Sequence, residues 1–288
     1  MMKRYVQRAK RTLALFLEND VVVYAGHATL GIITAFFPLV MLIISLLNMI
    51  PWYSPEDFTD LVFRFLPDIP QMKNLFLGVV TNLRSQSNGL LASIAGATSL
   101  WSASGGVTAI QKGLIRISQN RRKGLKNKGI SLLFTLFIVI LIPAALVFNF
   151  LGGALTELVT SLAARFGFSQ MTGLLVSVIR YSGIAAGAFA VLLLILLYTF
   201  LPGGKRELRA QVPGALLTAA VWIIFTEVFS RVMPIFWKSS IYGSLASLFL
   251  TLLWLRVMLT ILFIGAAWNE AAAEEKEEVN SDNNNRNY

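Results

Sequence analysis

The feature that most constrains this chain is a set of four long stretches without any charged residue. No Asp, Glu, Lys or Arg occurs in 21–55, 85–111, 129–156 or 181–204. Each stretch can hold a helix of about 20 apolar residues, the length needed to cross the hydrocarbon core of a bilayer. The composition agrees, because 56% of the residues are apolar and only 14% are charged. These features exclude a soluble enzyme, a disordered chain and a fibrous repeat.

A fifth apolar region, 210–268, carries a few charges and divides at the polar segment 238–240 into two further spans. The sequence therefore predicts an all-α, polytopic membrane protein with six transmembrane helices. Their predicted ranges are about 21–50, 88–111, 129–155, 182–202, 210–233 and 243–268. Residues 1–270 are predicted to form a single membrane domain. Residues 271–288, rich in Glu and Asn, are predicted to be an acidic, disordered cytoplasmic tail.

The distribution of basic residues predicts the orientation of these spans. With six spans, the inner segments carry five, seven and three lysines or arginines, whereas the outer segments carry three, two and two. An excess of Lys and Arg on one side marks the cytoplasmic side of a membrane protein. We therefore expect both termini to be cytoplasmic.

The predicted outer loops contain amphipathic segments. Residues 57–66 place apolar side chains at helical spacing, and residues 72–83 and 158–181 repeat the pattern. We interpret all three as helices that lie in the outer membrane interface.

Three polar residues inside the predicted spans are candidates for a buried polar path. Arg256 falls near the middle of the last span, where a charge is costly unless it faces the bundle interior or water. Glu227 is its natural partner, although Glu227 can instead pair with Arg231 one turn away. His27 lies two turns into the first span and is either a hydrogen-bonded packing residue or part of a proton relay. For the charged pair, a structural role and a place in a substrate path are both open.

Two further features of the spans bear on function. Pro38 lies inside the first span and is predicted to kink it, because proline removes a backbone donor and clashes with the preceding turn. Small residues recur every three or four positions along the second span, which favours close helix packing over a permeation path. The stripe consists of Ala92, Gly96, Ser99, Ala103 and Gly106.

The sequence argues against enzymatic chemistry. It contains no cysteine and a single histidine, which excludes a thiolate or multi-histidine metal site. It also lacks a Gly-rich phosphate loop, a GxSxG elbow and an HExxH motif. We therefore expect no catalytic residues, no metal and no cofactor.

The basic loop between the second and third spans is predicted to contact anionic lipid headgroups, which attract lysine and arginine on the cytoplasmic side of a span. The candidate contacts are Arg121, Arg122, Lys123, Lys126 and Lys128. Because the loop has no aromatic side chain on which bases could stack, we expect no nucleic-acid partner.

Several motifs, in order from about residue 10 to 270, resemble the YihY/BrkB family of bacterial inner-membrane proteins. They are Tyr24-Ala25 with 36–39 (FFPL), 100–104 (LWSAS), Pro202, 213–215 (PGA) with Trp222, 242–245 (YGSL), Trp254 and 264–266 (IGA). The resemblance implies six membrane helices in the bacterial cytoplasmic membrane. A glutamate usual in the family after the final Gly-Ala is Ala267 here, with Glu270 one turn on as a substitute.

The family has carried the labels ribonuclease and virulence factor, and neither defines a biochemical activity for this sequence. The clustered carboxylates or histidines that RNA hydrolysis requires are missing, so ribonuclease activity is not expected. We interpret the chain as a transporter, exporter or lipid flippase of unknown solute or lipid substrate, without its own ATPase. The alternative is a non-transporting structural or envelope-assembly protein. Membrane lipids are the expected partners, and self-association into a homo-oligomer is left open.

Overall fold

The computed structural model describes residues 2–47, 54–63, 69–86, 94–119, 126–144, 187–204, 206–237 and 243–285. These ranges contain helices and turns but no strand, which confirms the all-α prediction for this part of the chain. The helices are α1 (Met2–Glu18), α2 (Val21–Leu47), α3 (Pro55–Phe63), α4 (Pro70–Gln86), α5 (Ile94–Ile117), α6 (Lys126–Ala144), α7 (Gly187–Phe200), α8 (Leu208–Trp237) and α9 (Gly243–Asn285).

Four of the described helices are long and apolar enough to cross a membrane. They cover Val21–Leu47, Lys126–Ala144, Leu208–Met233 and Leu248–Glu277. They correspond to four of the six predicted spans. The second predicted span overlaps α5, whose apolar residues are diluted by Gly, Ser and Thr and by Lys112 and Arg116. The fourth overlaps α7, which is shorter and is described only from Gly187.

The pairing of α2 with α5 explains the stripe of small residues. A Cβ added to Gly106 would lie 3.2 Å from both the Ala35 Cβ and the Ile32 Cα, and one added to Gly31 would lie 2.6 Å from the Ala109 Cβ. Glycine and alanine therefore bring the two antiparallel backbones together. The interpretation of the stripe as a packing surface is confirmed at Gly106.

The first and last helices meet along the end of α9, where α9 differs from the prediction. Residues 271–288 were expected to be disordered, whereas α9 continues as a helix to Asn285. The Arg8 Nη2 lies 2.8 Å from the Glu275 Oε2, and the Arg11 Nε lies 2.6 Å from the Glu274 Oε2. For 271–285 the structure has a helix where disorder was predicted, since α1 supplies arginines that pair with Glu274 and Glu275. Residues 286–288 lie outside the described residues.

Helices α3 and α4 cover the opposite end of the bundle from α1. Ser54 and Asp57 form a reciprocal cap at the start of α3, since each side chain accepts the backbone N–H of the other at 3.1 Å. Phe58 and Phe76 then pack together against the last turns of α2. The helical character expected for these loops is confirmed, while their position in a membrane interface stays a prediction. The third amphipathic segment, 158–181, lies outside the described residues.

Pro38 lies inside α2, which is helical on both sides of it. The kink assigned to this residue stays a prediction.

The positions of α1 and α4 at opposite ends of α2 give a direct test of topology. Because the chain has no cysteine, Asn74→Cys on α4 and Ser281→Cys at the end of α9 each supply a single reporter. We expect a membrane-impermeant maleimide added to intact cells to label Asn74→Cys and to label Ser281→Cys only after the cells are broken. Labelling of both variants in intact cells would contradict cytoplasmic termini.

Candidate functional site

A cluster of buried and half-buried polar side chains lies at the end of the bundle where α2 and α8 begin and α5 and α7 end. We call it the polar cluster. Its members are Gln111, Ser131, Tyr198, Arg206, Gln211, Thr218, Asn269 and Glu270. Buried polar groups are stable in such a setting only when they are hydrogen-bonded, so each member is described with its partner.

Gln111 joins three helices. Its Nε2 donates to the carbonyl of Leu201 at 3.0 Å, just after α7, and its Oε1 accepts from the Ser131 hydroxyl of α6 at 2.9 Å. The Gln111 side chain is 1% exposed. Because one amide satisfies two other helices, it fixes the ends of α5, α6 and α7 relative to one another.

Tyr198 connects α7 to α8 and α9. Its hydroxyl donates to the carbonyl of Leu262 at 2.7 Å and lies 2.8 Å from the Thr218 Oγ1. The hydroxyl of Thr218 therefore donates to the Tyr198 oxygen. Gly265 makes this approach possible, because a Cβ at that position would collide with the Thr218 Oγ1 and would lie 2.7 Å from the Tyr198 hydroxyl.

Asn269 binds the first turns of α8. Its Nδ2 lies 3.1 Å from both the carbonyl and the Oε1 of Gln211, and its Oδ1 accepts the Gly214 N–H at 2.8 Å. Pro213, which has no N–H to donate, stands between these two residues of α8. The Asn269 side chain thus satisfies backbone groups beside the proline and holds α8 against α9.

Arg206 and Glu270 form the only charged part of the polar cluster. The Arg206 Nη2 lies 2.7 Å from the Glu270 Oε2, and the two side chains are 16% and 19% exposed. Gly203 and Gly204 turn the chain between α7 and Arg206 with φ angles of 92° and 81°, a left-handed conformation that glycine adopts without strain. The glycine pair therefore returns the chain so that Arg206 faces α9.

A small cavity borders this ion pair. Its volume is about 10 Å³, and its lining includes Tyr198, Arg206, Gln211 and Glu270 together with Ser118 from the end of α5. A space of this size holds about one water molecule. In this conformation the space beside the ion pair is therefore too small for anything larger than a water molecule.

The structure does not bring Arg256, Glu227 and His27 together as a buried path. All three side chains are exposed, and the Glu227 Oε1 pairs with the Arg231 Nη2 at 2.5 Å. The expected pairing of Glu227 with Arg256 was therefore wrong, and the alternative partner Arg231 is the observed one.

Helix geometry explains this correction. The Trp222 Nε1 donates to the carbonyl of Met258 at 2.9 Å, which marks the faces on which α8 and α9 meet. A helix turns by 100° per residue about its axis. Around the axis of α9, Arg256 therefore lies 200° from Met258, and around the axis of α8, Glu227 lies 140° from Trp222. Both charges therefore point away from the contact between the two helices.

This geometry predicts that Arg256 and Glu227 are energetically independent. We expect the effects of Arg256→Leu and Glu227→Leu on the melting temperature in detergent to add in the double variant, because separated sites do not couple. If the double variant has a clearly higher melting temperature than the sum of the two single effects predicts, Arg256 and Glu227 interact, contrary to the structure.

The structure describes only part of the basic loop. Arg121, Arg122 and Lys123 lie outside the described residues, and Lys126 is exposed at the start of α6. The Lys128 Nζ lies 2.5 Å from the Ser104 Oγ and 4.6 Å from the centre of the Trp101 ring. Because α5 already engages this ammonium group, a lipid headgroup has to compete with α5 for Lys128.

Most of the polar cluster was missed by the sequence analysis. Arg206 counted only as an orientation charge, and Gln111, Tyr198 and Asn269 were not singled out. A usable signal was present, because a glutamine, a tyrosine and an asparagine near the ends of apolar stretches have to find partners inside a membrane bundle. Glu270, noted as a substitute for a family glutamate, is the one member that had been identified.

In the described part of the chain, no three His, Cys, Asp or Glu residues are grouped so that they could hold a metal ion.

Comparison with known proteins assigns the family. The profile of the family described as virulence factor BrkB matches residues 12–287, nearly the whole chain. The chain belongs to the BrkB family. Motifs in α2, α5, α8 and α9 had indicated this family, and the match confirms it.

Three relatives are similar over most of their length. The ribonuclease-like protein YfkH of Bacillus subtilis (strain 168) is 25% identical over 84% of this chain and 86% of its own. A UPF0761 membrane protein of Pseudoalteromonas translucida (strain TAC 125) is 22% identical over 91% of this chain and 84% of its own. Another UPF0761 membrane protein, from Haemophilus influenzae (strain 86-028NP), is 23% identical over 92% of this chain and 94% of its own. No solved structure matches.

Proposed function

We propose that this BrkB family member is a transporter in the cytoplasmic membrane that moves a molecule with an anionic group, either a lipid or a solute. The observation that carries the proposal is the Arg206–Glu270 pair, which lies with Tyr198 and Gln211 around a cavity among the ends of the spans. An arginine held by a carboxylate is a reversible anion site, because an incoming anion can replace the glutamate as its partner.

The arrangement of the helices supports this interpretation. Helices α5, α7, α8 and α9 all contribute to the cavity or its hydrogen bonds. A small relative movement of any one of them would enlarge the cavity. Burying charged groups within a bundle of membrane helices costs free energy, so such groups commonly mark a substrate or ion path. The sequence contains no phosphate-binding loop, so the proposed movement uses a gradient or runs downhill.

Reconstitution into vesicles tests the proposal. Vesicles with the purified protein are expected to translocate a fluorescent phosphatidylglycerol analogue, or to release an entrapped organic anion, faster than protein-free vesicles. Arg206→Gln should abolish that excess rate, because it removes the cation that binds the anion. Arg209→Gln, which changes an exposed arginine outside the polar cluster, is the matched control and should retain it. Wild-type vesicles as slow as protein-free ones for both anions would contradict transport.

One observation favours a non-transporting, structural role as the second candidate. Gln111, Tyr198 and Asn269 make all their described hydrogen bonds within the bundle, as expected of a cluster that only fixes helix positions. In that case wild-type and Arg206→Gln vesicles would both show the protein-free rate, while Arg206→Gln would still lower the melting temperature.

We also propose that the protein is not a ribonuclease, although the relative YfkH is named ribonuclease-like. The carboxylates at the α1 end of the bundle support this view, because Glu270, Glu274 and Glu275 are each engaged by an arginine. The purified protein is expected to leave precursor tRNA intact in the presence of magnesium. Cleavage that survives several purification steps and is abolished by Glu270→Gln would contradict this prediction.

A further inference from the structure

Helix α1 has one buried face and one exposed apolar face. Leu15 is fully buried, and Thr12 and Asn19 on the same side are nearly so. Leu13 and Leu17 are 59% and 65% exposed, and Val6, which is 50% exposed, lies on the same side. Single exposed leucines are common on proteins, but a continuous apolar side along a helix marks a surface that is covered by something.

The position of α1 indicates what covers this face. Asn19 and Asp20 end α1, with Asp20 at a φ of 51°, and the span α2 begins at Val21. Val22, Val23 and Leu30 continue the exposed apolar surface along α2. The exposed side of α1 is thus continuous with the side chains of a membrane-spanning helix that face the lipid.

The charges of α1 are complementary to an anionic leaflet. Residues 2–18 contain five basic residues and one acidic residue, and two of the basic residues, Arg8 and Arg11, are paired with Glu275 and Glu274 of α9. Lys10 is exposed beside the apolar face. Helices with an apolar face and a basic border lie in the plane of the membrane, with the apolar side among the acyl chains and the basic groups at the headgroups.

The contacts with α9 determine how α1 is oriented. The Arg8–Glu275 and Arg11–Glu274 ion pairs hold the helix from one side. The Arg8 guanidinium also lies 5.7 Å from the centre of the Trp268 ring. Because these contacts prevent α1 from rotating about its axis, Leu13 and Leu17 stay directed away from the bundle.

From these observations we infer that α1 is a membrane-surface helix whose Leu13–Leu17 face inserts into a leaflet containing anionic lipid. This site is separate from the polar cluster and from the basic loop between α5 and α6, and it does not depend on transport. The helix anchors the start of the chain to the bilayer next to the first span.

Spin labels on the full-length protein in vesicles test the inference. Leu13→Cys and Leu17→Cys place a nitroxide on the apolar face, and Gln7→Cys places one on the polar side of the same helix. We expect the first two labels to collide often with oxygen, which concentrates in the bilayer, and to lose their collisions with a water-soluble nickel chelate. The Gln7→Cys label should remain open to nickel. The loss at Leu13→Cys and Leu17→Cys should be larger in vesicles that contain phosphatidylglycerol than in phosphatidylcholine alone.

Three results would overturn the inference. Nickel collisions at Leu13→Cys and Leu17→Cys as frequent as those at Gln7→Cys would show that the face is in water. Spin–spin broadening that disappears on dilution with unlabelled protein would show that a second copy covers it. Equal protection with and without phosphatidylglycerol would exclude the assignment to anionic lipid.

Discussion

Replacing Gly265 with alanine is expected to lower the free energy of unfolding by about 3 kcal/mol, the upper end of the usual cost of overpacking. The added methyl group would collide with the Thr218 Oγ1 and would lie 2.8 Å from the carbonyl oxygen of Gly214. A backbone carbonyl in a helix cannot rotate away, so α8 would have to move from α9 and stretch the Tyr198 hydrogen bonds. The measurement is unfolding in mixed detergent micelles.

Gly26→Ala is the matched control, because no atom lies within 4 Å of a Cβ added to Gly26 in α2. It should be neutral or should stabilise the protein by up to about 1 kcal/mol through helix propensity. Thr218→Ala in the Gly265→Ala background should recover part of the loss by removing the colliding hydroxyl. Equal stability of Gly265→Ala and Gly26→Ala would mean that α8 and α9 are further apart than the structure shows.

Breaking the Arg206–Glu270 pair is expected to have the second largest effect. Arg206→Gln and Glu270→Gln should each cost about 2 kcal/mol, because each strands a charge that is mostly shielded from solvent. The expected loss of stability is smaller than that for a fully buried ion pair, since both side chains remain partly exposed to solvent. The double variant should cost less than the sum of the two, because two glutamines can bond to each other and no charge is left unpaired.

The Glu227–Arg231 pair provides the comparison for this double-mutant cycle, in which the two single variants and the double variant are compared with the wild type. It has a similar N–O distance, but its side chains are 59% and 78% exposed and one turn apart on α8. Coupling between Glu227→Gln and Arg231→Gln should therefore be close to zero, as for most exposed pairs. Similar coupling in the two cycles would show that the shielding of Arg206 and Glu270 has no energetic consequence.

The spans α2, α6, α8 and α9 could be predicted from the sequence because lipid imposes a simple rule. A segment that crosses the bilayer excludes charge over about 20 residues, and such exclusion is visible without knowledge of neighbouring helices. The last third of α9 could not be predicted in this way. Its glutamates indicate disorder when considered alone, and only the arginines of α1, more than 260 residues earlier, make them compatible with a docked helix.

The polar cluster was harder to predict for a related reason. Gln111, Tyr198 and Asn269 are ordinary residues at their own positions, and their meaning depends on which backbone groups of other helices are left without a donor or acceptor. A search for charged residues selects Arg256 as the candidate for a buried polar path, although Arg256 faces outward, and it passes over Gln111, which is buried. The one-dimensional pattern gives the depth of a residue in the membrane, but the direction in which it points depends on the packing of neighbouring helices.

The contact between α1 and α9 has a consequence for synthesis of the protein. A ribosome releases α1 first and α9 last, and domains form contacts as their segments emerge. Arg8 and Arg11 therefore lack the carboxylates of Glu275 and Glu274 until the end of α9 has been translated. Truncation before Glu274 would leave every apolar span in place but would remove the two carboxylates that hold α1. A premature stop just before Glu274 should consequently yield membrane-inserted chains that proteases cut within α1.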